Sequence, residues 1–190
     1  MNEIKTKKIQ GVEQSQYFTN CRLSSCQTDG RLIAVNDQYL VISWIEEGLI
    51  KLANSYEPQN LLNINSGFKF EDSNILDMEF SPFDNNVLCF SNENNHIYIT
   101  KLSEYGNKIN ISADSYNGHQ KKINSLNFNP IASHVMCSCT YNGEIHVWDS
   151  EEFKTRISFN INDNPNSILW SPNGDLFGIT IFFFSIYKEI

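Results

Sequence analysis

The sequence predicts an all-β fold in which small antiparallel sheets repeat along the chain and stand side by side as part of a β-propeller. Short apolar runs alternate with turn-forming residues along most of the chain, which is typical of many short strands. The stretch 75–102 also recurs as 123–150, and a period in the forties with about four strands per unit is typical of propellers. We expect about three sheets, or blades, and the start of a fourth, so that this chain alone would not close the ring.

The unit with the clearest boundaries covers residues 118–149. It begins with Gly118-His119 and ends with Trp148-Asp149. The apolar runs between them are separated by two pairs of turn-forming residues, Asn129-Pro130 and Asn142-Gly143. A Gly-His pair and a Trp-Asp pair around three short strands form the WD-repeat pattern of one propeller blade.

A polar relay is predicted inside this unit, formed by His119, Thr140, Asn142 and Trp148. In the WD-repeat pattern an imidazole, a hydroxyl, an acid in the hairpin turn and an indole N–H satisfy one another's hydrogen bonds. Asn142 stands at the position of the acid, so we expect a weaker relay that lacks a negative charge. This structural role of His119 is favoured over a role as a catalyst or a ligand.

The repetition is explicit between residues 75–102 and the unit above. A constant shift that places Ile75 on Ile123 needs no gap, and it superimposes identical residues at Ile75, Phe80, Pro82, Val87, Cys89, Asn94 and Ile97. The relay is not repeated, because Glu71 stands at the histidine position and Thr100 at the tryptophan position. We therefore expect packing alone to hold the second blade together.

These patterns predict the domain boundaries. Residues 1–31 form a basic N-terminal arm with an edge strand, and residues 32–180 form the partial propeller. The expected blades cover about 32–56, 75–116, 119–160 and 165–180. The polar residues of 53–74 connect the first two blades.

A divergent apolar tail is predicted for residues 181–190. Three consecutive phenylalanines at 182–184 stand where a polar hairpin turn is expected. We expect from this that the chain is a truncated or mis-spliced product whose tail is foreign to the fold; a diverged strand is the alternative. An open ring would also expose apolar surface and favour association.

The distribution of charge separates the arm from the rest of the chain. The net charge of −8 argues against non-specific binding of nucleic acid. Residues 1–31 nevertheless carry five cationic and three acidic residues, a net charge of +2, so the remainder carries −10. A mildly basic arm therefore precedes an acidic body.

Several kinds of chemistry have no signature in the sequence. The five cysteines form no Cys-x-x-Cys pair and no zinc spacing, so we expect no metal or cofactor and reduced thiols in a cytoplasmic protein. The longest apolar run, residues 176–187, is too short for a membrane span, and the N-terminus lacks the apolar core of a signal peptide. No P-loop and no Gly-x-Ser-x-Gly occurs, so we expect no enzyme.

The order of features resembles the N-terminal half of a coronin, a WD-repeat protein that binds actin filaments. Four elements carry the resemblance: Tyr17-Phe18-Thr19-Asn20-Cys21-Arg22-Leu23-Ser24, Ala34-Val35-Asn36, Ile75-Leu76-Asp77-Met78-Glu79-Phe80-Ser81-Pro82-Phe83 and Gly118-His119-Gln120-Lys121-Lys122-Ile123. The resemblance covers roughly residues 4–180. The coronin coiled coil and its oligomerisation have no counterpart in these 190 residues.

The resemblance implies a non-enzymatic protein of the actin cytoskeleton that docks on filamentous actin, with other cytoskeletal proteins as further partners. The important arginine of the family falls on Arg22. Actin filaments present acidic surface, so Lys5, Lys7 and Lys8 would add electrostatic steering and Arg22 an oriented, forked donor.

Other interpretations stay open at this point. Arg22 could instead form a structural ion pair, and the three lysines could be a solvated tail. The alternative function is a generic WD-repeat scaffold that recruits proteins or peptides without affinity for actin.

Overall fold

The computed structural model describes residues 18–57, 60–61, 66–105, 108–116, 118–181 and 185–189. They form four antiparallel sheets, which we call sheets A to D, and in each sheet the strands lie side by side in chain order. Sheet A contains β1 (Ile33–Val35), β2 (Tyr39–Ser43), β3 (Leu49–Asn54) and β4 (Gly67–Lys69). Sheet B contains β5 (Ile75–Phe80), β6 (Val87–Asn92), β7 (Ile97–Tyr105) and β8 (Lys108–Tyr116).

Sheets C and D continue the same plan. Sheet C contains β9 (Ile123–Phe128), β10 (Val135–Thr140), β11 (Glu144–Asp149) and β12 (Lys154–Asn160). Sheet D contains β13 (Pro165–Trp170), β14 (Leu176–Ile181) and β15 (Ser185–Glu189). The prediction of an all-β, partial propeller with an unclosed ring is confirmed.

Glycine allows the tight turn that joins the second and third strands of sheet C. Gly143 has φ +87°, a conformation that side chains rarely adopt, and its N–H donates to the carbonyl of Thr140 at 3.0 Å. A Cβ at this position would lie 2.6 Å from the carbonyl oxygen of Asp163. The Asn142-Gly143 pair therefore makes the turn that the sequence indicated, with the chain after β12 packed against it.

Apolar side chains fill the space between neighbouring sheets. The core between sheets A and B includes Val41, Ile50, Leu52, Met78, Leu88 and Phe90. The core between sheets B and C includes Cys89, Ile97, Ile123, Leu126, Met136 and Trp148. The core between sheets C and D includes Cys137, Cys139, Ile145, Val147, Ile168 and Phe177. Each sheet is therefore stabilised chiefly by its neighbours, because burial of apolar area is the main favourable term.

Polar side chains join the inner edges of the sheets, where the first strands of successive sheets meet. The Asp77 carboxylate of sheet B accepts the N–H of Leu126 in sheet C at 2.6 Å. In the same way, Asn127 of sheet C accepts the N–H of Trp170 in sheet D at 2.8 Å. Glu79 of sheet B also accepts a backbone N–H of sheet C. The edge-strand N–H groups thus find partners without a continuous sheet across the joint.

The structure differs from the predicted boundaries at three places. Strand β4 lies within the segment predicted as a connection, and it is only three residues long. Strand β15 lies within the predicted tail and pairs antiparallel with β14, while 182–184 lie outside the described residues. Residues 18–31 form no strand but two isolated bridges, Thr19 with Asn60 in the connection between β3 and β4 and Leu23 with Trp44 just after β2. Short edge pairings of this kind have too few residues to leave a periodic pattern in the sequence.

Candidate functional site

A buried relay joins three side chains of sheet C. Ser138, which is fully buried, accepts a hydrogen bond from the Trp148 indole Nε1–H at 2.6 Å. Its Oγ lies 2.6 Å from Nε2 of His119, a residue that is 3 % exposed. Because the indole can only donate, the serine hydroxyl is free to donate its own hydrogen to the imidazole. This leaves Nδ1 of His119 as the nitrogen that carries the ring hydrogen.

The relay continues from His119 to a carboxylate. Nδ1 of His119 lies 3.2 Å from Oε2 of Glu144. The same carboxylate oxygen accepts the backbone N–H of Gln120 at 3.1 Å, and Oε1 accepts from the Asn142 side-chain amide at 3.3 Å. A negative charge is therefore present after all, supplied by Glu144 rather than by the turn residue.

Two of the four predicted relay residues, Thr140 and Asn142, do not form the link between His119 and Trp148. His119 and Trp148 meet at the hydroxyl of Ser138, whereas Thr140 donates to the Asn142 side-chain oxygen at 2.5 Å. Thr140 also accepts the N–H of Glu144 at 3.1 Å. Thr140 and Asn142 therefore shape the hairpin turn and hold Glu144, one step away from the imidazole.

The surroundings keep His119 neutral. The pKa of His119 is lowered to about 4, first by burial and then by the neighbouring His146 ring, against the opposing effect of Glu144. Burial alone would raise the pKa of Glu144, but the hydrogen bonds from Gln120 and Asn142 outweigh it and the pKa is lowered. At neutral pH the site thus holds a neutral imidazole beside an ionised carboxylate.

Sheet B contains a related polar cluster at the equivalent positions, with the acid and the imidazole exchanged. Tyr98 donates to Oε1 of Glu71 at 2.7 Å, and Nδ1 of His96 lies 3.1 Å from the Tyr98 hydroxyl. Asn94 donates to the other oxygen of Glu71 at 2.7 Å. The expectation that packing alone holds this blade was wrong, because this cluster adds hydrogen bonds to the packing. Comparison of the repeats did not reveal the cluster, since an exchange of acid and imidazole leaves no identical residue at either position.

A second charged site lies where sheets A, B and C meet. The Arg31 guanidinium forms two hydrogen bonds with Asp77, from Nε at 2.9 Å and from Nη2 at 3.0 Å, and Nη1 lies 2.9 Å from Glu79. Arg31 also donates to the carbonyl of Leu126. The Asp77 side chain is only 1 % exposed. Burial alone would lower the pKa of Arg31, but its hydrogen bonds and charge pairs with both acids outweigh burial and raise it.

The sequence carries a signal for this site in the strand rather than in the arm. Asp77 interrupts the apolar run of β5, and a carboxylate inside a buried strand requires a charged or hydrogen-bonding partner. The partner, Arg31, lies 46 residues earlier, at the end of the predicted arm.

The predicted docking residues are only partly within the described structure. Arg22 is exposed and makes no hydrogen bond or ion pair with a residue of the described ranges. It lies between the two bridges that pair Thr19 with Asn60 and Leu23 with Trp44. Lys5, Lys7 and Lys8 lie outside the described residues, so their predicted role stays a prediction.

A cleft opens at the inner ends of sheets B, C and D. Its volume is about 280 Å³. The lining repeats one element three times, an aromatic residue followed two positions later by proline: Phe80 and Pro82, Phe128 and Pro130, Trp170 and Pro172. Leu169 also lines it and is 57 % exposed. The cleft offers apolar surface of the kind that binds peptide or protein side chains.

The repeated sheets, the Gly-His and Trp-Asp pairs and the buried relay together define a WD-repeat propeller arc. Residues 111–149 match the family model described as "WD domain, G-beta repeat". The chain therefore contains a WD40 repeat, in a fold that typically serves as a non-enzymatic scaffold for protein interactions. The described residues include no helix long and apolar enough to cross a membrane.

The arc is similar to a solved structure, the WD40 domain from Toxoplasma gondii coronin. The TM-score is 0.78 and the sequence identity 24 %, over 88 % of this chain and 44 % of that chain. The chain thus spans less than half the length of that domain. Because 1126 solved chains match, the likeness establishes the fold rather than one function. A comparison with curated proteins gave no match.

Proposed function

We propose that this chain is an actin-filament-binding module of coronin type, which docks through its basic N-terminal arm. The observation that supports this proposal best is the state of Arg22. An arginine in an ordered segment with no partner among the described residues is available for a carboxylate of another protein, since its planar fork can bind one with two hydrogen bonds.

The segment around Arg22 is fixed rather than free to reorient. The carbonyl of Thr19 accepts the N–H of Leu61 at 3.0 Å, and the N–H of Ser24 donates to Ser43 at 3.0 Å. Leu23 and Ile45, which are 41 % and 52 % exposed, flank the pairing of Leu23 with Trp44. An arginine beside exposed apolar side chains has the composition of an interface centre, where a few such residues carry most of the binding energy.

Arg31 illustrates the contrast with a structural arginine. Four of its five N–H donors are used by Asp77, Glu79 and the carbonyl of Leu126, so it has no pair of donors left to bind a partner's carboxylate. Of these two arginines, Arg22 is the one available to a filament, and the three lysines ahead of it would steer an acidic partner over a longer range. Such a role corresponds to a cytoplasmic location at the actin cytoskeleton.

Filament co-sedimentation tests the proposal. We expect Arg22→Asp to weaken filament binding by more than about 2 kcal/mol, roughly 30-fold in Kd, because reversal of an oriented charge at an interface leaves its partner unpaired. Lys7→Ala should cost less than about 1 kcal/mol and act mainly on the association rate at low salt.

Lys154→Asp is the matched control, since it makes the same change of charge at an exposed position on the outer strand of sheet C. Equal losses for Arg22→Asp and Lys154→Asp would refute docking through the arm and leave only a general charge effect. The unfolding curves of the variants should superimpose on that of the unmodified chain.

The alternative is a generic WD-repeat scaffold without affinity for actin. The cleft lined by Phe80, Phe128, Trp170 and Leu169 favours it, because apolar side chains of a partner could fill that cleft. The same experiment discriminates the two functions. If the folded, unmodified chain stays in the supernatant with filaments at concentrations well above the protein, the scaffold is the function that remains.

A further inference from the structure

Three side chains that metal ions favour converge beside the relay of sheet C. Glu144 and His146 project from one face of β11, since they are two residues apart on a strand. His119 precedes β9 and its ring stacks on that of His146, with 4.0 Å between the ring centroids. Their potential ligand atoms all lie within 4.8 Å of one another. Because His119 and Glu144 are far apart in the sequence, no short motif announces the cluster.

The distances are close to those of a bound ion. A tetrahedral metal with bonds of about 2.0 to 2.1 Å holds its ligand atoms about 3.4 Å apart. Nδ1 of His119 and Oε2 of Glu144 already lie 3.2 Å apart. The ligand atom of His146 lies within 4.8 Å of the other two, so a shift of this partly exposed ring toward them would complete the set.

One nitrogen of this cluster has no partner. Nδ1 of His146 is shielded from solvent and makes no hydrogen bond with any residue in the described ranges. A buried imidazole nitrogen that is left unpaired costs free energy, which a metal bond would recover. The orphaned nitrogen is therefore an observation, independent of the clustering, that points to a ligand.

Neighbouring groups orient the ligand atoms of His119 and Glu144, as outer-shell groups do around bound metal ions. Ser138 contacts Nε2 of His119 and so directs Nδ1 toward Glu144. With a metal on Nδ1 the ring hydrogen would move to Nε2, where the serine oxygen can accept it. The backbone N–H of Gln120 and the amide of Asn142 orient the carboxylate. Fixed orientation of this kind raises metal affinity, because the ligands do not have to be ordered on binding.

We propose that His119, Glu144 and His146 bind one divalent transition-metal ion, with zinc as the ion that suits them best. Two imidazoles and one carboxylate form a donor set that suits zinc and cobalt, whereas calcium and magnesium prefer oxygen ligands alone. Three protein ligands leave one position of a tetrahedral ion for water or for a group of a partner protein. Filament docking through the arm is not required for this binding.

Sheet B provides an internal comparison. It has Glu71 and His96 at the equivalent positions, but Tyr98 replaces the second imidazole. A phenol is a poor ligand for zinc beside two stronger donors, so the cluster of sheet B should bind zinc far more weakly. The comparison also shows that this fold accepts tyrosine at the position of His146.

The test is a titration of the untagged chain with Zn²⁺ alone by calorimetry, and with Co²⁺ alone by visible absorption. We expect one Zn²⁺ per chain and the absorption bands of tetrahedral cobalt. His146→Tyr and Glu144→Gln should each weaken Zn²⁺ binding by more than about 100-fold, since loss of even an outer-shell partner costs about 10- to 100-fold. His96→Ala, the control, should leave the affinity unchanged.

Two results would overturn the proposal. One is the absence of stoichiometric Zn²⁺ binding by the folded, unmodified chain. The other is a Zn²⁺ affinity of the His146→Tyr variant that equals that of the His96→Ala variant, when both variants unfold at the same temperature as the unmodified chain. Because the titration contains no actin, its outcome is separate from that of co-sedimentation.

Discussion

Substitution of Ser138 by alanine is the sharpest test of the relay. The change removes one oxygen atom that satisfies both the Trp148 indole and Nε2 of His119, each at 2.6 Å. Ser138 is 0 % exposed, so solvent has no route to replace the hydroxyl. A buried polar group that loses its partner costs about 1 to 3 kcal/mol. Two such groups give an expected loss of about 2 to 6 kcal/mol in the free energy of unfolding.

Thr140→Val is the matched control, because the two hydroxyls lie on the same face of β10, two residues apart. Thr140 is as buried as Ser138, but its partners are the N–H of Glu144 and the side chain of Asn142, a residue that is exposed, so water can replace that partner. Loss of those bonds should cost about 1 kcal/mol. Urea denaturation followed by tryptophan fluorescence measures both values. A loss for Thr140→Val equal to or larger than that for Ser138→Ala would refute the assignment of the relay to Ser138.

Two further predictions concern the other polar sites. Arg31→Met should destabilise the chain by about 3 kcal/mol in urea denaturation, because it leaves the buried Asp77 carboxylate with backbone N–H partners but without its cation. The double variant with Asp77→Asn should be more stable than Arg31→Met, and an additive loss would contradict the pairing. Glu71→Gln should cost less than about 1 kcal/mol at pH 7, since the site is exposed. The hydrogen bond from Tyr98, above all, lowers the pKa of Glu71 in the folded state. Its contribution is therefore complete above the ordinary pKa of a glutamate and is lost as the pH falls through the lowered value. The unfolding curves of the Glu71→Gln variant and the unmodified chain should converge at acid pH; a difference that persists there would exclude an ionic origin.

The fold was predictable because its repeats carry local signals. The Asn142-Gly143 turn and the recurrence of 75–102 need no knowledge of distant contacts, so the sheets could be inferred from the sequence. The residue that supplies the hydroxyl of the relay could not be inferred in this way, because Ser138 and Thr140 share a face of β10. The strand register decides between them. Trp148 lies opposite Met136, which brings its indole diagonally to Ser138 rather than to Thr140.

The contacts between sheets were beyond the reach of the same patterns. Arg31 and Asp77 are separated by 46 residues, and their meeting depends on how sheets A and B stand relative to each other. The exchanged pair in sheet B is hidden for a different reason. Glu71 and His96 preserve the chemistry of His119 and Glu144 but not the identity of either residue.

Burial in this fold is a property of the joint between two sheets, not of the strand that contributes the residue. Equivalent positions on the first strands of sheets B, C and D are almost completely buried: Met78 and Ile168 at 0 % exposure, and Leu126 at 1 %. Ile33 holds that position in sheet A and is 43 % exposed. The residues are similarly apolar and lie on similar strands; the three buried ones face a preceding sheet, whereas no described sheet precedes sheet A. Burial of apolar area contributes about 25 cal/mol per Å² to stability, so the stability of each sheet depends on its neighbour. Where no described sheet stands alongside, as at Ile33, apolar surface stays exposed.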